Sequence, residues 1–298
     1  MFLSIITATY NRAYCLDKIY NSLLTNDRNL FQWILVDDGS SDETELLAEK
    51  WEKEDKINFI YIKKNNGGKT SAIIEGFKNY PKGEFCLILD SDDYLEDNII
   101  KKLKEESQTL TKANIGMIGL KKNSKNELIG TSFTCNESNY IDLYFGKNRI
   151  YGDKLFIIKT KLYSRSFIPP YPREKFIPDN IPYIKTNSLG LLKCLNYTVY
   201  IGDYLEDGMT ANVLNMAAKN INGFILEKKM LQSEKLPLIE KIKNEVKYIS
   251  YSLAANNSYK EVLKNSNNFM ITALLIIPTY VVTYKRIQKI REIRRSII

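Results

Sequence analysis

The chain has 298 residues, 44% of them hydrophobic and 26% charged, enough apolar material for one large globular domain or two smaller ones. Histidine is absent, and Cys15, Cys86, Cys135 and Cys194 form no CxxC pair. His-based triads, His-ligated zinc and a disulfide framework are therefore not expected, and a reducing cytosol is. The net charge of +8 sits in one segment: residues 227–298 hold 14 basic and 6 acidic side chains, against 29 of each in 1–226. An anionic partner is expected at that segment alone, and nucleic acid is not expected as a partner.

The opening MFLSIITATYN lacks a basic region and a small-residue cleavage site, so it reads as a first strand over 2–9, not a signal peptide. Leu16, Ile19, Tyr20, Leu23 and Leu24 then recur at helical spacing. Strand-like runs at 31–37, 57–63 and 85–90 alternate with helical patterns at 43–51, 70–80 and 95–110. Such alternation predicts a parallel sheet covered on both faces. From 111 to about 210 the pattern is mixed. NIGMIGLKK and DKLFIIKTK look like strands, and KFIPDNIPYIKTNSLGLLKCL like a loop entering a helix. Beyond 212 helical periodicity runs to the end.

A polar cluster follows each of the first four strands: Thr9-Tyr10-Asn11, Asp37-Asp38-Gly39-Ser40, Asn65-Asn66-Gly67-Gly68-Lys69 and Asp90-Ser91-Asp92-Asp93. Ligands of open α/β sheets bind outside the carboxyl ends of the strands, so these clusters should converge on one edge. Asp37 and Asp38 also read as a plain strand end, turn and helix cap. The last cluster poses a sharper question. Neighbouring carboxylates about 5 Å apart repel by roughly 3 kcal/mol per pair at an effective dielectric of about 20. A cap needs only one carboxylate, whereas closely spaced carboxylates suit a hard divalent cation carrying a diphosphate.

Gly-Lys-Thr at 68–70, between a strand and a helix, resembles the end of a P-loop, with FCLILD as the metal-binding strand of a nucleotide hydrolase. That motif needs glycine at 63, and this chain has Lys63. No GxGxxG fingerprint is present either.

SIITATYNRAYCLDKIYNSLL, WILVDDGSSDET, KKNNGGKTSAIIEGF and LILDSDDYL, in this order and spacing, resemble family 2 glycosyltransferases of the GT-A fold. The resemblance covers 1–110 and continues more weakly through EKFIPDNIPYIK and YLEDGMTAN to about 212. It implies an α/β, Rossmann-like, mostly parallel sheet flanked by helices over 1–212. Residues 1–110 would be the nucleotide-binding half and 111–212 the acceptor-binding half, followed by a C-terminal helical extension over 213–298.

The resemblance also implies an inverting transferase that moves a sugar from a nucleotide-sugar, a UDP-sugar by expectation, to an acceptor hydroxyl. Thr7, Tyr10 and Asp37, with Asp38 near, match positions that hold base and ribose. Asn66 and Lys69 match the loop beside the nucleotide and diphosphate, and Thr9, Gly68 and Ser91 complete the donor-binding set. Asp90 and Asp92 match the DxD motif of a Mn²⁺ or Mg²⁺ site, Asp92 as direct ligand and Asp90 nearer the ribose. Many relatives complete the metal shell with a histidine, which this chain lacks, so diphosphate and water would have to fill it. Asp179 falls where the family places its catalytic carboxylate. On its own residues it reads either as an N-cap for a helix from about 181 or as a base; the resemblance implies the base, with Glu174 in reserve.

The apolar run FMITALLIIPTYVV (269–282) would span about 21 Å as a helix, short of the roughly 30 Å hydrocarbon core, and it contains Pro278. A transmembrane span is therefore not expected. Behind it Ile287, Ile290, Ile293 and Ile297 form one stripe among Lys285, Arg286, Lys289, Arg291, Arg294 and Arg295. That pattern predicts a basic amphipathic tail (269–298) lying on an anionic membrane surface, the alternative being a helix packed on its own domain. Together these readings predict a glycosyltransferase bound peripherally to the cytoplasmic face of the cell membrane, acting on a lipid-linked or surface polysaccharide. A nucleotide hydrolase or a non-catalytic sugar-nucleotide or membrane-binding module is the alternative.

Overall fold

The computed structural model describes residues 1–78, 80–203 and 213–296. The chain begins with β1 (Leu3–Thr9), α1 (Ala13–Leu24), β2 (Phe31–Asp37), α2 (Thr44–Glu54), β3 (Phe59–Lys63), α3 (Lys69–Phe77) and β4 (Phe85–Ile88). It continues through β5 (Tyr94–Leu95), α4 (Ile99–Ser107), β6 (Asn114–Lys122), β7 (Glu137–Ser138), α5 (Tyr140–Tyr144), β8 (Lys154–Lys159) and α6 (Thr160–Tyr163). Then follow α7 (Ile181–Thr186), β9 (Leu191–Ile201), α8 (Val213–Lys219), α9 (Ile221–Gln232), α10 (Leu238–Ala254), α11 (Tyr259–Asn265) and α12 (Phe269–Arg295).

Two compact units result, one of residues 1–167 with 185–203, the other of 168–184 with 204–298. The expected 1–212 domain is thus interrupted, because 168–184 groups with the C-terminal helices. The YLEDGMTAN stretch of the resemblance, and Ile297, lie outside the described residues.

The first unit holds a nine-stranded mixed sheet of order β3-β2-β1-β4-β8-β6-β9-β5, with β7 beside β9. Strands β1 to β4 pair in parallel, as the alternation predicts. The runs of β1, β2 and β4 are largely buried and that of β3 partly so: α1 lays Leu16, Ile19, Tyr20 and Leu23 into the core, and Trp33, Trp51 and Phe59 pack ring against ring. Strand β8 then enters antiparallel between β4 and β6. The predicted helix over 95–110 begins only at Ile99, because Tyr94 and Leu95 pair with β9 as a short strand. Strand β9 itself lies where the sequence reads as a loop running into a helix. The helix stops at Thr186, and residues 191–201 are drawn into the sheet by pairing with β6, β5 and β7, a tertiary effect that overrides local pattern.

The second unit is helical. Its core joins Ile221, Phe224, Tyr248, Ile249 and Val262 to Ile276, Ile287 and Ile290 of α12. The isoleucine stripe expected to face a membrane is therefore turned inward, with Ile287 and Ile290 fully buried and Ile293 packed against the same cluster. Helix α12 is also longer than the apolar run suggests. It continues through Pro278 for 27 residues and is long and apolar enough, by length and composition, to cross a membrane.

Candidate active site

The carboxyl ends of β1, β2, β3 and β4 carry the four polar clusters on one edge of the sheet, and hydrogen bonds weld the loops together. Asn11, in the left-handed conformation that asparagine tolerates, donates its backbone N–H to Ser40 Oγ (2.9 Å) and accepts from the Ser41 N–H (2.8 Å). The Asp42 carboxylate accepts from the Ala13 N–H (2.9 Å), tying the start of α1 to the second loop.

Asp37 is fully buried and accepts from the Ser40 N–H (2.7 Å) and the Tyr61 hydroxyl (2.8 Å). Burial and the Asp37 carboxylate push the Tyr61 hydroxyl up, so it stays a donor. Asp38 clamps the glycine loop: one oxygen accepts from Gly67 N–H (2.9 Å) and Lys64 Nζ (2.7 Å), the other from Gly68 N–H (2.6 Å). Asn66 Nδ2 returns to the Asp38 carbonyl (3.0 Å). Gly39, at φ +84°, must be glycine, since a Cβ would press on Asn66 N and Lys64 O at 3.1 Å. Gly68, at φ 90°, precedes the first turn of α3 and aims Lys69 back across the edge.

The three carboxylates after β4 do not converge. Lys69 Nζ meets Asp90 at 2.8 Å, Arg12 meets Asp92 at 3.4 Å, and buried Lys121 of β6 meets Asp93 at 2.9 Å. The chain's own cations thus answer the repulsion that the sequence poses. The surrounding protein strips water from one side of the partly exposed Asp90 carboxyl and pushes it up, but Lys69, with Lys121 and Arg12, overrides this and holds it below its usual value. Asp93 goes the other way: burial, reinforced by Asp90 and Asp92 against Lys121, lifts it to about 7.

Among the described residues, no three His, Cys, Asp or Glu side chains gather as a metal-holding group. The donor set nevertheless fits a divalent ion completed by substrate. Asp92 is 28% exposed and, among the described residues, pairs with Arg12 through Oδ2, and Asp90 lies two residues away, so the pair offers the hard oxygen donors such an ion takes.

Most of the sequence-predicted residues share this edge. Asn66, Gly68, Lys69, Asp90, Ser91 and Asp92 are partly exposed there and Tyr10 is half exposed, while Thr9 is buried with a hydroxyl that makes no hydrogen bond. Thr7 departs from expectation: it is fully buried and its hydroxyl accepts from the Trp33 indole (3.0 Å), so it supports the floor of the edge. Asp38, at 3% exposure, serves as the loop clamp. No motif in the sequence singles out Arg12, Lys64 or Lys121. Arg12 is 80 positions from its partner in sequence, and only an unbalanced carboxylate cluster hinted at such cations.

Asp179 belongs to the second unit, exposed beside the start of α7. The Ile184 N–H donates to the Asn180 carbonyl (3.0 Å), so the backbone of the helix opens at Asn180, directly after Asp179. Asn180 Nδ2 in turn donates to Glu227 (2.8 Å). Glu174 is occupied otherwise: its carboxylate accepts from the Asn222 and Gly223 N–H groups (2.9 and 3.1 Å) and caps α9.

A profile of Glycosyl transferase family 2 matches residues 4–167. The chain belongs to this family. Over 103 residues it is 32% identical to the poly(ribitol-phosphate) beta-N-acetylglucosaminyltransferase TarS of Staphylococcus aureus, covering 34% of this chain and 18% of that protein. Over 110 residues it is 30% identical to the GalNAc(5)-diNAcBac-PP-undecaprenol beta-1,3-glucosyltransferase of Campylobacter jejuni, covering 35% and 34%. The match thus spans about a third or less of either relative's length. The crystal structure of S. aureus TarS 1-349 in complex with UDP-GlcNAc superposes with TM-score 0.62 at 19% identity, covering 99% of this chain and 91% of that one. A Pyrobaculum calidifontis mannosyltransferase in complex with GDP-Man and Mn²⁺ gives 0.52 at 14% identity, with 98% and 84% covered. The fold is accordingly the α/β GT-A arrangement, with helices following it.

Proposed function

We propose that the chain is an inverting glycosyltransferase that moves a sugar from a nucleotide-sugar, a UDP-sugar in the first instance, to a hydroxyl of a lipid-linked or surface polysaccharide. One observation carries the reading: interlocked loops at one sheet edge present Asp90 and Asp92 flanked by Lys69 and Arg12. That is the charge pattern a nucleoside diphosphate and its counter-ion require. The ligands bound in the structures of the relatives, UDP-GlcNAc and GDP-Man, are of the same chemical class.

In this reading Asp37 and Tyr10 border the base and ribose, with Thr9 and Ser91 beside them, and the Asp38 clamp holds Asn66, Gly68 and Lys69 in place. Lys69 and Arg12 trade their carboxylate partners for diphosphate oxygens. Asp92, with Asp90 beside it, would hold Mg²⁺ or Mn²⁺, which when bound neutralises charge on the departing nucleotide. Asp179 takes the proton of the acceptor hydroxyl, since Glu174 is committed to α9. The basic C-terminal region attaches the protein to an anionic membrane, on the cytoplasmic face, where lipid-linked acceptors would be found.

The test is thermal-shift screening against a panel of nucleotide-sugars with and without Mn²⁺, followed by release of nucleoside diphosphate in the presence of acceptor. Asp92→Asn keeps the shape and removes a charge, so metal-dependent diphosphate binding should disappear. Unchanged affinity and metal dependence in that variant would sink the DxD assignment.

A further inference from the structure

Helix α12 has two unlike sides. One is pinned to its own unit: Thr272 donates to buried Glu245, Thr283 meets Ser250 (2.9 Å), and Arg286 reaches the Tyr251 hydroxyl (3.0 Å). Arg291 and Arg294 donate to the carbonyls of Leu253 and Ala218 (2.6 and 3.1 Å). The other side carries Met270 (78% exposed), Leu274 (75%), Ile277 (68%) and Val281 (69%), one continuous stripe at i, i+4, i+7 and i+11. Phe269 and Val282 extend it, also exposed. At 1.5 Å per residue the stripe runs about 16 Å. Solvent-facing apolar stretches of this kind mark interaction surfaces.

What surrounds the stripe says what covers it. Tyr259 of α11 meets Tyr280 edge to face, Tyr280 meets Tyr284 likewise, and Tyr259 and Tyr284 are half exposed. One turn after Val281 the same face reaches exposed Lys285, with Lys289 next, while exposed Lys260 and Lys264 lie on α11. An apolar patch bordered by tyrosines and by long lysines that can snorkel is the composition of a surface seated at a bilayer interface: the patch meets the acyl boundary, the rings the interface and the ammonium groups the anionic headgroups.

We propose that this face, Met270, Leu274, Ile277 and Val281, is the surface that inserts into an anionic bilayer, with α12 lying in the membrane plane. The inference rests on the membrane attachment put forward above and replaces its contact face, since the isoleucine stripe is buried. Length and composition alone would also allow α12 to span. Its pinned side argues against that, because leaving the unit would strand fully buried Glu245 and strip Ile276, Ile287 and Ile290 from the core. A second copy fits less well than lipid. Residues 227–298 hold 14 basic against 6 acidic side chains, so two copies would set like charge against like.

Flotation of the full chain tests this, using neutral phosphatidylcholine vesicles and vesicles of equal parts phosphatidylcholine and phosphatidylglycerol. Wild type should float with the anionic vesicles and bind less as salt rises. Leu274→Glu with Ile277→Glu should reduce binding at least tenfold, and Lys285→Glu with Lys289→Glu should remove the preference for anionic lipid. In Ile277→Trp the new indole should be quenched by brominated acyl chains, since Trp33 and Trp51 are buried in the first unit. Flotation of the Leu274→Glu, Ile277→Glu variant like wild type would overturn the proposal, as would vesicle binding without quenching. A concentration-dependent dimer that the glutamates disrupt, without vesicle binding, would make the face a contact between copies. Nucleotide-sugar binding by the same variants in solution reports the fold. Its absence even in wild type would count against the transferase reading and leave the flotation result standing.

Discussion

Asp38 separates two roles that the sequence leaves together, donor contact and loop clamp. In the structure its buried carboxylate receives Gly67 N–H, Gly68 N–H and Lys64 Nζ at 2.6–2.9 Å. Hydrogen bonds to charged groups contribute about 1.5–3 kcal/mol each and are not additive. Removing one partner of a buried charged pair costs about 3–5 kcal/mol, and Asp38→Ala strands one ammonium and two amides at once, so a loss of that size is expected. At roughly 2–4 °C per kcal/mol for a unit of this size, the first melting transition should fall by about 10 °C or more. Asp38→Asn keeps one good acceptor and should lose about half as much. Nucleotide-sugar affinity should fall in both, because Gly68 opens the helix that carries Lys69. Differential scanning calorimetry with and without UDP-sugar makes the measurement. An Asp38→Ala protein that melts within about two degrees of wild type but has lost donor binding would show Asp38 to be a donor contact, and the clamp argument would be wrong.

Asp179→Asn should leave donor affinity near normal and lower turnover by roughly 10²–10⁴, the range for loss of a positioned base. Glu174→Gln should instead destabilise the second unit by about 1 kcal/mol through the α9 cap; a folded but inactive Glu174→Gln, with Asp179→Asn active, would reverse the two roles. Burial raises the carboxyl of Glu245 above its ordinary 4.5, against the donors Thr272 and Gln232. The folded chain therefore holds a proton that the unfolded chain has released. Stability of the second unit should be greatest below that ordinary value and fall as pH rises toward the folded one, a slope that Glu245→Gln removes. Urea unfolding from pH 4 upward checks it, and a wild-type slope retained in the variant would assign the proton elsewhere.

The alternation of β-branched runs with amphipathic helices was enough to read β1 to β4 and the helices between them. Strands β1, β2 and β4 are mostly buried, and β2 and β3 each follow a sheet partner within about 30 residues. The same regularity placed the strand-exit clusters on one edge and made Lys69, Asp90 and Asp92 legible as its charged residues. Composition also localised the positive charge. What the sequence could not supply was contact at long separation. Arg12 finds Asp92, Lys121 finds Asp93, and Trp33 takes the Thr7 hydroxyl only after the sheet has formed, because no local pattern encodes a partner many turns away. Strand β9 arises for the same reason, from neighbours on either side. In α12 the sequence announced an apolar run and, behind it, one isoleucine stripe among basic residues, without saying which side would face the protein. Packing against α8 and α10 buried the isoleucines at 287 and 290 and left Met270, Leu274, Ile277 and Val281 to solvent, since one side of a helix can face its own core and the other cannot.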